Sequence, residues 1–73
     1  MDNFQLAIHI TMLPIPADKY PASRKALTEF NNESISFQQI QKIIYSEVPM
    51  YSHRTLFNNL IIKILNKKLP NRS

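Results

Sequence analysis

A chain of 73 residues with net charge +4 and neither cysteine nor glycine excludes several classes of protein at the outset. It makes one domain, residues 1–73, with a core small enough that a lone monomer is marginally stable. With disulfides and thiolate metal sites ruled out, oligomerisation is the remaining staple. The missing glycine also rules out phosphate-cradling loops of the P-loop or Rossmann kind.

The first residues carry no basic n-region, and residues 4–12 are interrupted by Gln5, His9 and Thr11, so no secretory signal is expected. The longest apolar run, 60–65, contains Lys63 and is too short to span a bilayer. These features predict a soluble, cytoplasmic chain with no membrane partner.

Phe4, Leu6, Ile8, Ile10 and Met12 alternate with Gln5, Ala7, His9 and Thr11. A period of two with β-branched content predicts a strand over 4–12, stopped by Pro14 and Pro16. No second strand is visible, and a lone strand leaves its backbone groups unpaired. The expected solution is an antiparallel ribbon with the same strand of a second molecule, making a homodimer through Phe4, Leu6, Ile8 and Ile10. The alternative is an extended arm lying on the helices.

A first helix is expected over 19–30, capped by Asp18, with Ala22, Ala26, Leu27 and Phe30 on its apolar face and a left-handed stop at Asn31-Asn32. Ser36 followed by Gln39 has capping-box spacing, and Ile35 with Ile40 forms the accompanying staple. Phe37, Ile40, Ile43 and Ile44 then share a face until Pro49, which predicts a helix over 37–47. Ser52 caps a last helix over 53–67, with Tyr51 and Leu56 as its staple. The expected fold is therefore mainly α: a three-helix unit containing a helix-turn-helix, preceded by one N-terminal strand.

The charge is unevenly placed. From Phe37 onward six cations face Glu47 alone, a local charge of +5, whereas the residues before it sum to −1. A basic half that coincides with the two-helix unit is the footprint of a polyanion binder, nucleic acid first. A helix that enters the major groove needs hydrogen-bonding side chains near its N-terminus and phosphate-binding groups on its flanks. Ser52, His53, Arg54, Thr55, Asn58 and Asn59 meet the first need, since Arg can read guanine and Asn adenine in bidentate fashion. Lys42, Lys63 and Lys67 meet the second, with Lys68 alongside.

Ser36-Phe37-Gln38-Gln39-Ile40, followed by Tyr51-Ser52-His53-Arg54-Thr55-Leu56-Phe57-Asn58-Asn59-Leu60, resembles the helix-turn-helix of small bacterial and phage transcription regulators, the winged-helix repressors in particular. The resemblance implies double-stranded DNA as partner, with the helix from Ser52 as the reader. Ile8-His9-Ile10-Thr11-Met12-Leu13-Pro14 resembles the start of ribbon-helix-helix repressors, which implies that outward strand residues Gln5, His9 and Thr11 read bases from a dimeric ribbon.

Catalysis is not expected. His9 and His53 sit in different elements, and the carboxylates are scattered, so no catalytic, metal or cofactor site is predicted. The reading is a DNA-binding transcriptional regulator. Its rival is a protein-interaction module, an adaptor or inhibitor of a larger protein, using the apolar face of residues 56–65 and an exposed Ile62.

Overall fold

The computed structural model describes residues 3–68. Four helices follow one another: α1 (Asn3–Thr11), α2 (Pro21–Asn31), α3 (Phe37–Glu47) and α4 (Tyr51–Lys68). Among the described residues there is no β-strand. α2 packs against all three other helices, and α1 and α3 flank the α2/α4 pair without touching each other. The core between them holds Leu6, Ile10, Tyr20, Leu27, Phe30, Ile40, Ile44, Phe57 and Ile64, with Ile15 and Val48 entering from the connections.

The expected strand over 4–12 is a helix, and the ribbon dimer and base-reading strand fall with it. An isolated strand has no backbone partners, whereas a helix closes its own hydrogen bonds. The alternation fits both. In a helix Leu6 and Ile10 lie on one side and Phe4, Ile8 and Met12 on the other. Leu6 and Ile10 are buried inside the protomer and cannot serve an interface, while Phe4, Ile8 and Met12 are 73%, 43% and 72% exposed.

α3 has the predicted bounds and the predicted start. The Ser36 hydroxyl accepts from the Gln39 N–H at 3.1 Å, and the Gln39 side chain accepts from the Ser36 N–H at 2.8 Å. Ile35 packs against the same core as Ile40.

α2 begins two residues later than expected and is not capped by Asp18. Its free N–H groups at Ala22 and Ser23 donate to the Glu47 carboxylate at 3.2 and 2.7 Å, from the far end of α3. Its stop is a Schellman motif: Ser34 N–H donates to Glu29 O and Glu33 N–H to Phe30 O. The left-handed residue is Glu33, with φ of 63°, not the predicted asparagine pair. α4 starts at Tyr51, so Ser52 lies exposed in the first turn instead of capping it. Tyr51 is 82% exposed and staples nothing.

Beside the Schellman motif of α2, basic side chains bond carbonyls at or just beyond the C-terminal ends of α1, α2 and α3. Arg24 reaches back from α2 to donate to Ile10 O, Leu13 O and Ile15 O, at 3.1, 3.4 and 2.5 Å, closing α1. Lys67 donates to Asn31 O at 3.0 Å and to the Asn31 side chain at 2.8 Å, closing α2, and also to the Asn3 side chain. Arg54 closes α3 through Val48 O at 2.7 Å and Tyr45 O at 3.5 Å. Each cation also meets the negative end of a helix dipole.

Candidate interaction surface

The nine residues expected to contact DNA do not form one surface. Arg54 is folded back onto α3, its guanidinium 4.7 Å from the centre of the Tyr45 ring. His53 turns inward, where its Nδ1 is 2.7 Å from the hydroxyl of buried Tyr20 and the two rings meet edge to face. Lys67 is held in the knot with Asn3 and Asn31. Three of the nine are thus tied into the scaffold.

The other six divide among four places. Lys42 lies on the outer side of α3, in a hollow shared with Ala22 and Glu47 of the α2/α3 pair. Asn58 lines a groove between α3 and α4 with Phe37, Gln41 and Ile62. Asn59 and Lys63 line a second groove, between α1 and α4, with His9, Met12 and Leu56. Ser52 and Thr55 stay exposed on the ridge of α4. Thr55 is partly occupied, its hydroxyl donating to Tyr51 O at 3.1 Å.

The apolar face of 56–65 is also redistributed. Phe57, Leu60, Ile61 and Ile64 are core, Leu56 and Leu65 are half-buried at its edges, and Ile62 alone is 54% exposed. The face proposed as an interface from sequence is mostly the inside of the protein.

α4 therefore presents a ridge running through Tyr51, Thr55, Asn59, Ile62 and Asn66, with a groove on each side. The groove toward α1 has a floor of Leu13, Leu56 and Leu60, with Met12 at its edge. The groove toward α3 has Phe37, Ile61 and Leu65. Sequence reasoning missed Met12, Leu13 and Phe37 as surface residues. Helical spacing of Phe4, Ile8 and Met12 was the available signal for the first.

The electrostatics of this side are sparse. Neither α1 nor α4 contains a carboxylate. Among the described residues Lys63 and Lys42 form no ion pair or hydrogen bond, and they lie on different sides of the molecule. The Glu47 carboxylate has a displaced pKa. Burial pushes it up, but the Ser23 hydroxyl beside it and the backbone N–H groups of Ser23 and Ala22 outweigh that and hold it below the ordinary value of 4.5. The hydroxyl lies close without hydrogen-bond geometry, so the two N–H groups carry the interaction.

Among the described residues no cluster of histidines and carboxylates could hold a metal ion, and no helix is long and apolar enough to cross a membrane. Compared with protein-family models, with curated proteins and with solved structures, the chain matches none.

Proposed function

We propose that this chain is a protein-interaction module that binds its partner through the α1/α4/α3 side. One observation carries the reading. The cations that would grip a polyanion around α4, Arg54 and Lys67, are engaged in closing α3 and α2, while the same side exposes Met12, Ile62 and Phe37 beside half-buried leucines. Protein interfaces are enriched in Met, Phe and Tyr and poor in charge at their centres, which describes this side well. A phosphate backbone instead rewards several cations in register, each adding to the salt dependence of binding.

DNA reading keeps one supporting observation: α3 is joined to α4 by only Val48, Pro49 and Met50, the connection length of a helix-turn-helix, and Ser52, Thr55 and Asn59 remain polar and exposed on α4. An unbiased peptide-display selection against the folded domain, with a duplex-DNA titration at two salt concentrations, separates the two. The module reading predicts binders that fail on an Ile62→Asp, Met12→Asp double variant with unchanged circular dichroism. Salt-sensitive micromolar binding of duplex DNA, without any peptide that depends on those positions, refutes it.

A further inference from the structure

We infer that the groove between α1 and α4 takes an apolar side chain from an acidic amphipathic segment of a partner protein, a step that rests on the interaction-module reading. The floor of the groove is aliphatic, from Leu13, Leu56 and Leu60, and Met12 at 72% exposure forms an adaptable wall. Its rim carries Asn59 and Lys63, with His9 on the α1 side. Such a trough buries one Leu, Phe or Met and offers an ammonium group to the residue beside it.

The sign of that neighbouring charge follows from what surrounds Lys63. α1 and α4 hold no carboxylate along their whole lengths, and no described residue pairs with the Lys63 ammonium. Two further cations of α4, Arg54 and Lys67, are turned to helix C-termini. An occupant therefore has to bring the negative charge itself. A second copy docked groove to groove would set one Lys63 against another with no acid to separate them. Among the residues that line the groove, nucleic acid would meet one ammonium, that of Lys63, and an aliphatic floor that offers nothing to phosphate. An acidic segment with regularly spaced apolar residues matches both the floor and the rim.

Two helical peptide-display libraries provide the test. Both vary the apolar positions among Leu, Ile, Phe and Met; one fixes the polar positions as Glu, the other as Lys. The Glu library should yield binders that shift backbone amide resonances of residues 9–14 and 56–63. Those binders should weaken about tenfold on Lys63→Glu, as attraction becomes repulsion at a partly exposed rim. They should be lost on Met12→Asp, with circular dichroism unchanged in both variants. Equal recovery from the two libraries, or indifference to Lys63→Glu, overturns the inference. If the unbiased selection still gives binders dependent on Ile62 and Met12, only the acidic chemistry has failed. If it gives none, the interaction-module reading has failed with it. Resonance shifts of the same groove on self-association or with duplex DNA, and none with acidic peptides, would assign it to those occupants and overturn the inference.

Discussion

Replacing Arg54 by methionine tests whether this side chain holds the fold or reads a ligand. Methionine keeps most of the aliphatic stem and removes the guanidinium. The lost interactions are the 2.7 Å bond from Nε to Val48 O, the longer 3.5 Å contact to Tyr45 O and the cation–π contact at 4.7 Å from the Tyr45 ring. A hydrogen bond from a charged donor contributes about 1.5–3 kcal/mol. The cation–π contact adds about 0.5–1 kcal/mol, since Tyr45 is exposed. Taking the lower end for a half-exposed arginine, the cost is about 2–3 kcal/mol. In a domain of this size each kcal/mol moves Tm by about 4–8 °C, so Arg54→Met should melt about 10–20 °C below the parent.

Thermal denaturation followed by circular dichroism at 222 nm, under the same buffer for both proteins, reads this directly. Arg54→Lys should recover part of the loss, because an ammonium can reach Val48 O but cannot also lie flat over Tyr45. An exposed, base-reading arginine predicts the opposite pattern: Tm within about 2–4 °C of the parent, as for other surface substitutions worth about 0.5 kcal/mol, and loss of DNA binding. An unchanged Tm would refute the capping argument and return Arg54 to the list of ligand contacts.

Glu33→Gly should stabilise the domain by about 0.5–1 kcal/mol, seen as a higher Tm, because Glu33 occupies the left-handed region that glycine enters without a Cβ penalty; a lower Tm would refute it. The depressed Glu47 pKa contributes stability that is fully present above its ordinary value of 4.5 and is lost as pH falls through the lower folded-state value. Urea midpoints measured from pH 5.5 down to 2.5 should therefore fall less steeply for Glu47→Gln than for the parent, and parallel curves would count against the cap. Lys67→Met should cost about 1–3 kcal/mol, since it strips partners from the buried Asn31 side chain. Amide exchange should then accelerate at the start of α1, which Asn31 holds through Asn3 O; exchange rates that stay at parental values would show that the knot is not what ties α1 down.

Local signals with one structural solution were legible in the sequence. Ser36 and Gln39 specify a helix start through two reciprocal bonds that no other backbone arrangement satisfies, and α3 begins where they place it. Residues 4–12 carried a signal with two solutions. Apolar residues at every second position make one face of a strand, but in a helix they fall alternately on opposite sides. The choice between them depended on whether a pairing strand existed, which is a property of the whole chain. Phe4, Leu6, Ile8 and Ile10 then read as one dimer seam, when the helix buries Leu6 and Ile10 and leaves Phe4 and Ile8 exposed. The cap of α2 was illegible for a related reason: it comes from Glu47, 25 residues beyond Ala22, and no local pattern announces a long-range partner.

The basic half of the chain was read by its sign, and several of the chain's cations have a second role inside the fold. Glycine is the usual residue for ending a helix, since it enters the left-handed conformation freely and lets the chain turn back on its last carbonyls. A chain without it leaves those carbonyls to other donors. Arg24 and Arg54 serve as such donors at the ends of α1 and α3, each from the helix that follows, and Lys67 adds Asn31 O to the Schellman closure of α2. A cation used this way joins two elements and neutralises a dipole, so it stabilises the fold twice while offering little to an outside polyanion. Positive net charge in a glycine-free helical chain thus has an internal explanation that competes with nucleic-acid binding. The cations to weigh as ligand contacts are those left over, and among the residues lining the α1/α4 groove that is Lys63.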